Sequence, residues 1–329
     1  MVLVTGGAGY IGSHVVKELI ALGEEVVVID NLETGYEASV NEQAIFYQGD
    51  LKDTDFLNEV MSHHQIDTVM HFAAYSLVGV SMEKPLDYFK NNVYGGTSLL
   101  TAMQQNGIRR IIFSSTAATY GNAGDALITE EFPTNPTNPY GESKLAVEKL
   151  LKWCDQAYGI KFVALRYFNV AGADESGAIG EAHNPETHLI PIVLQAALGV
   201  RPSIKVFGTD YPTADGTCIR DYIHVTDLAM AHILAMKYLR QGGESQIINL
   251  ANAKGFSVLQ IIEAARRVTG KEIPVDYAGR RAGDPAVLVA CADKAHQVLG
   301  WQPRVTSIDD IIATAWKWHT AHPHGYAGE

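Results

Sequence analysis

Short, almost wholly apolar runs alternate along the first half of the chain with longer stretches in which apolar residues recur every three or four positions. The runs at 2–5, 26–29, 45–47, 68–72, 111–113 and 162–165 lack a regular polar face, so they predict strands buried on both sides. Between them, 11–22, 53–63, 92–105 and 140–158 carry the spacing of helices with one buried stripe. Parallel neighbours need a crossover, and helices fill it, so the alternation predicts an α/β chain with a doubly wound parallel sheet of Rossmann type. After about residue 170 the pattern loosens into loops with Gly and Pro at 172–185, 201–202 and 211–216. A strand-like run at 247–250 and an amphipathic segment at 258–268 suggest that the second half returns to the sheet once.

Composition narrows the class without naming a function. The 329 residues are 47% hydrophobic, enough for a large core. A formal net charge of -12 argues against a nucleic-acid or anionic-lipid partner, since phosphate backbones call for clustered Lys and Arg. Cys154, Cys218 and Cys291 have neither disulfide-framework nor zinc spacing, and no metal is expected. His319, His322 and His324 read as a solvated tail, and Trp316 and Trp318 as packing residues of a final helix. Met1 runs straight into an apolar strand, and no stretch of about 18 apolar residues follows. The expectation is a cytoplasmic protein with no membrane contact.

Chemistry enters at Thr5-Gly6-Gly7-Ala8-Gly9-Tyr10-Ile11-Gly12, where glycines three apart link the first strand to a helix. Such a turn lets the backbone approach a pyrophosphate, and the helix start favours its charge. The next strand ends in Asp30, an acid placed to accept from ribose hydroxyls and to repel a 2′-phosphate, which favours NAD over NADP.

The second constellation is Asn138-Pro139-Tyr140-Gly141-Glu142-Ser143-Lys144. Asn138 and Pro139 suit an N-cap and first helical position, which sets Tyr140 and Lys144 on one face. An ammonium there is expected to lower the tyrosine pKa, making it an acid/base group, and to reach a nicotinamide ribose. The fifth strand ends in Ser114-Ser115-Thr116, presenting hydroxyls at the ligand-binding edge of the sheet.

Together these motifs resemble the extended short-chain dehydrogenase/reductases, and within them the UDP-glucose 4-epimerases over essentially the whole chain. Further segments that carry the resemblance are Asp30-Asn31-Leu32, Gly49-Asp50-Leu51, His71-Phe72-Ala73-Ala74, Asn91-Asn92-Val93, Arg166-Tyr167-Phe168-Asn169, Arg220-Asp221-Tyr222 and Arg281-Ala282-Gly283-Asp284. The resemblance implies 4-epimerisation of a UDP-sugar with bound NAD, with Tyr140 as base, Lys144 as its tuner and Thr116 as the triad hydroxyl. It implies cofactor contacts from Gly6, Gly9, Tyr10, Ile11, Gly12, Asp30, Asn31, Asp50 and Leu51, and from Phe72, Ala73, Ala74, Asn91, Lys144 and Phe168. Of the adjacent pair, Asn91 is chosen over Asn92. For the UDP-sugar it implies Thr116, Tyr140, Asn169, Leu189, Val206, Phe207, Arg220, Arg281 and Asp284, with Leu288 beside the sugar C2 region. It also implies a homodimer built on 92–105 and 140–158.

Two positions depart from the pattern. Ser76 stands where some members have a lysine near the cofactor phosphates, and His188 where some have asparagine; His188 is kept as a substrate contact. A nucleotide-sugar 4,6-dehydratase or decarboxylase remains an alternative, although Ala117-Ala118 after Thr116 supply none of the acids that elimination needs. A non-catalytic NAD-binding sensor is the other. The expected organisation is an NAD-binding Rossmann domain at 1–170, with a returning segment near 225–255, and a smaller C-terminal α/β lobe at 171–329 for the UDP-sugar.

Overall fold

The computed structural model describes residues 1–122, 127–252, 254–281 and 285–328. Its strands are β1 (Val2–Thr5), β2 (Val26–Asp30), β3 (Ile45–Gln48), β4 (Thr68–His71), β5 (Arg110–Thr116), β6 (Lys161–Tyr167), β7 (Asn169–Ala171), β8 (Ile204–Phe207), β9 (Ile219–His224), β10 (Gln246–Leu250), β11 (Gly255–Ser257), β12 (Val275–Ala278) and β13 (Val287–Leu288). Seven of them form one parallel sheet in the order β10-β6-β5-β4-β1-β2-β3. The return to the sheet expected near 247–250 is β10, which pairs with β6.

Alternation along the strands builds two apolar layers. Val2, Val4, Val28 and Met70 face one layer, closed by helices Tyr10–Ala21 and Val225–Arg240. Leu3, Val27, Ile29 and Val69 face the other, closed by Thr54–His63, Gly95–Gln105 and Pro139–Tyr158. Both faces are covered, so polar alternation is missing from β1, β2 and β4. The edge strand β3 is instead half exposed.

The chain reverses direction of strand order between β1 and β4, which leaves a crevice at their C-terminal ends. A smaller C-terminal α/β lobe stands beyond it. There β9 pairs with β7, β11 and β13, β12 pairs with β8, and helices Leu189–Ala197, Val258–Thr269 and Ile308–Ala321 enclose a separate core around Val193, Ile262 and Ile312. No helix among the described residues is long and apolar enough to cross a membrane.

Two local expectations change and one holds. The helix expected at 92–105 begins as α-helix only at Gly95, after a π-helical stretch Phe89–Tyr94, a widened turn common at functional sites. Trp318 is fully buried, as a packing residue should be. His319 is buried with it and His322 stacks on its indole at 3.9 Å, so of the three histidines only His324 is exposed.

Candidate active site

The glycine turn closes on itself so tightly that side chains are excluded. A Cβ on Gly12 would lie 2.1 Å from the Gly6 carbonyl oxygen. Gly6 has φ +75°, and a Cβ there would meet the Ala73 nitrogen at 2.5 Å. The helix that follows, Tyr10–Ala21, has no side-chain cap and no acidic residue in its first turn. Its positive end, which follows the C-terminal end of β1 through the glycine turn, is therefore left uncompensated by side chains, as an anion seat requires. Gly12→Ala is expected to force this turn open at a cost of about 1–3 kcal/mol. Thermal unfolding and the nucleotide content of purified protein check it; an unchanged pair of values overturns the close-approach account.

At the end of β2, Asp30 accepts from Ala8 N at 3.0 Å and Leu32 N at 2.9 Å, bracing the turn. Burial raises its pKa, and these backbone donors oppose the rise. Leu32 sits at φ 60°, a strained position held by the Asp30 contact. Asn31 donates to Asp50 at 3.2 Å, and Asp50 pairs with Lys52 at 3.0 Å. Asn91 and Asn92 are now separable. Asn92 is buried and engaged with Tyr75 N, Tyr75 O and Ser143 Oγ, whereas Asn91 is half exposed and accepts from Lys52 Nζ at 3.4 Å.

The Tyr/Lys pair sits where the sequence suggests, at the start of Pro139–Tyr158, with Asn138 Oδ1 capping Gly141 N at 2.9 Å and Pro139 in the first turn. Thr116 ends β5, where its Oγ1 accepts from Ala118 N at 3.1 Å, and its hydroxyl pulls the pKa of the nearby Tyr140 phenol down. Lys144, however, does not depress the tyrosine. Its Nζ donates to Ser114 O at 2.9 Å and lies 5.0 Å from the Phe113 ring centroid. Burial pushes Tyr140 up to about 12, although Thr116 pulls it down, with Tyr88 adding to the rise. Burial likewise lowers Lys144 to about 7, opposed by Glu148. In the protein by itself the phenol therefore holds its proton, and the pair is divided between a neutral phenol and a lysine that titrates near neutrality.

Behind this pair lies a buried network that the sequence did not suggest. Arg166 forks onto Glu148 at 2.8 and 2.5 Å, and Ser115 donates to the same carboxylate at 2.5 Å. The guanidinium also covers the Tyr120 ring at 4.7 Å.

Ala73 and Phe72 follow β4 beside Gly6, while Phe168 follows β6, whose last residue is in register with Thr116. Ala74 lies next in the same β4 loop, and Leu51 is buried against the sheet layer. On the lobe side Asn169 opens β7 and donates to Asp221 O at 3.0 Å. Arg220 on β9 is in register with Leu288 on β13, and Leu288 packs with Ala117, Tyr120 and Phe168. Arg281 lies over the Phe207 ring at 4.6 Å. Val206 is buried in the lobe core, so only its backbone can face a ligand. Asp284 lies outside the described residues. Leu189 starts helix Leu189–Ala197, with His188 as its N-cap residue.

His188 brings company that sequence reasoning missed, although its spacing was visible. Glu181, His183, Glu186 and His188 present four donor atoms within 4.8 Å of one another. Burial alone would lower both histidines, but the carboxylates lift His183 to about 9 and His188 to about 10. The loop is tied to the glycine turn: Tyr10 Oη donates to Gly172 O at 2.6 Å, and Lys17 pairs with Asp174.

A family model, the NAD dependent epimerase/dehydratase family, matches residues 2–251. The chain belongs to that family. Among relatives in the epimerase/dehydratase family, the UDP-glucose 4-epimerase of Lacticaseibacillus casei is 58% identical over 325 residues, covering 99% of this chain and 98% of the relative. A crystal structure of a UDP-glucose 4-epimerase superposes with a TM-score of 0.98 at 58% identity, covering 99% of each chain. The Bifidobacterium longum UDP-glucose 4-epimerase in complex with NAD+ and UDP gives 0.93 at 40% identity, again over 99% of each chain.

Proposed function

We propose that this protein is an isomerase, a UDP-glucose 4-epimerase that holds NAD tightly and interconverts UDP-galactose and UDP-glucose. The observation that carries the proposal is the placement of Thr116 at the end of β5, in the same parallel sheet whose β1 runs into the glycine turn, with its hydroxyl near enough to Tyr140 to pull that phenol's pKa down. The turn fits a dinucleotide: side chains are excluded at Gly6 and Gly12, the helix start carries no competing acid, and Asp30 retains acceptor capacity at the β2 end. Gly6, Gly9, Tyr10, Ile11 and Gly12 would seat the pyrophosphate, Asp30 and Asn31 the adenosine end, and Lys144 the nicotinamide ribose. Bound NAD would supply a reversible hydride acceptor at sugar C4 and, when oxidised, a positive charge beside the phenol.

Tyr140 then takes the proton of the sugar 4-hydroxyl and returns it, Thr116 relays to the same oxygen, and Lys144 orients the pair. The 4-keto sugar turns over before hydrogen returns to its other face. Arg220 and Arg281 suit the diphosphate, as planar forks in an acidic protein. Ala117 and Ala118 offer no proton for elimination, which disfavours the dehydratase alternative. The test is direct: purified protein is given UDP-galactose without added cofactor, and UDP-glucose is expected.

The same proposal divides the chain into a cofactor part, 1–170 with the returning segment near 225–255, and a UDP-sugar part, 171–329. It includes a homodimer, supported by Trp153, Leu86 and Phe89, large apolar side chains left exposed on or beside Pro139–Tyr158 and the π-helical stretch. A cytoplasmic setting suits its three free thiols.

Substrate range turns on Leu288. It is half-buried beside Ala117 and Phe168, smaller than a tyrosine and without a hydroxyl to satisfy. UDP-N-acetylglucosamine is therefore expected as a second substrate, and Leu288→Tyr is expected to suppress it selectively, by about tenfold or more in kcat/KM relative to UDP-glucose. Equal losses for both sugars would remove Leu288 from the specificity account.

A further inference from the structure

The geometry points to a divalent transition-metal site, of zinc type, at Glu181, His183, Glu186 and His188, distinct from the hydride-transfer centre. The two carboxylates are buried, with side chains 6% and 4% exposed, and both imidazoles turn Nδ1 toward them. His188 Nδ1 lies 2.9 Å from Glu186 Oε1 and 3.1 Å from Glu181 Oε1. His183 Nδ1 lies 3.0 Å from Glu181 Oε1 and 3.7 Å from Glu186 Oε2. Each of these Nδ1 atoms faces two carboxylates, so two acids and two imidazoles converge on one point.

One cation can be shared by all four side chains. Bonds of about 2.0–2.2 Å to four tetrahedral donors put those donors roughly 3.3–3.6 Å apart; the N···O separations here run from 2.9 to 3.7 Å and the four donor atoms lie within 4.8 Å of one another, so small side-chain shifts complete the shell. Two nitrogens and two carboxylate oxygens are a donor set that zinc accepts. Supporting contacts hold the ligands from outside: Glu186 Oε1 accepts from Thr187 N at 2.7 Å and His188 N at 2.8 Å, and Trp318 Nε1 donates to Glu181 O at 3.0 Å. The side chain of His188 is 41% exposed, which gives the ion a way in from solvent. Bound there, a cation would lock the loop that leads into helix Leu189–Ala197, next to Tyr10, whose ring meets His183 at 6.3 Å between centroids.

The site does not depend on the epimerase proposal, and binding can be measured without turnover. Full-length protein freed of any affinity tag and dialysed against a chelator is titrated with Zn2+ by calorimetry, and with Co2+ while visible absorption is followed. One equivalent is expected to bind at micromolar affinity or better, with a Tm that rises with Zn2+, and with d–d bands of a low-coordinate nitrogen/oxygen site in the cobalt form. His183→Gln is expected to weaken Zn2+ at least 100-fold while retaining the native circular dichroism, and His324→Gln to leave it unchanged. Absence of stoichiometric binding or of the cobalt bands in the unmutated protein overturns the assignment, even if His183→Gln fails to fold. Native affinity in His183→Gln, or loss of binding in His324→Gln, overturns it too.

Discussion

Tyr140→Phe is expected to lower UDP-galactose turnover by about 10²–10⁴-fold, the range for removing a positioned acid/base group. The substitution deletes one hydroxyl, the one whose pKa Thr116 lowers, and leaves the aromatic packing against Tyr88 in place. It also spares the Lys144 contact with Ser114 and the glycine turn. Bound nucleotide, measured after denaturing the purified variant, should therefore stay at the level of the parent protein. If turnover remained near native, proton transfer would have to be assigned to another group. Because burial pushes this phenol up to about 12, activity should also respond to any change that alters positive charge near it, and Lys144→Met should weaken nucleotide retention as well as rate.

The second large effect concerns stability. Glu148→Ala should cost about 3–5 kcal/mol, because it strips the partner from a charge that cannot reach water. Arg166 is 3% exposed and Glu148 1%, and the guanidinium spends two of its donors on that carboxylate. Out of a usual total of about 5–15 kcal/mol, such a loss lowers the urea midpoint strongly at an unchanged slope. Burial depresses Lys144 while Glu148 supports its charged form, so the variant should also shift the lysine further down and move the pH profile of any remaining activity to lower pH. A midpoint within experimental scatter of the parent would mean that Arg166 finds solvent or another acceptor.

The sheet was legible because both of its faces are covered. Val2 to Val4 and Val26 to Ile29 could have no polar side, and an apolar run that short, set between helical spacings and too brief for a helix of its own, marks a doubly covered strand. Gly6, Gly12 and Asp30 could be read for the same local reason: each acts within a turn of chain adjacent to its own strand. The Glu148–Arg166 pair was not legible, since it joins a helix to a neighbouring strand through orientation that spacing does not encode. Nor was the direction of Lys144, which the i, i+4 rule placed near Tyr140 but which β5 draws away through Ser114 O. The lobe strands β11 and β13 carry only three and two residues, too few for any local period, and β8 and β9 alternate or expose residues instead of forming the apolar runs of the main sheet. The four-residue cluster at 181–188 sits in a loop, where a run of Glu and His ordinarily signals only solvent exposure.

Helix Tyr10–Ala21 begins in the nucleotide turn yet grips the lobe beyond it, through Tyr10 to Gly172 and Lys17 to Asp174. Any rearrangement of the 172–189 loop is thus felt at the first turn of that helix. Occupancy of one seat should then change the affinity of the other, and by reciprocity the factor must be identical in both directions. A nucleotide that dissociates more slowly once sugar is bound would be the kinetic face of that linkage, and the two hydrogen-bonded side chains are the levers through which it would act.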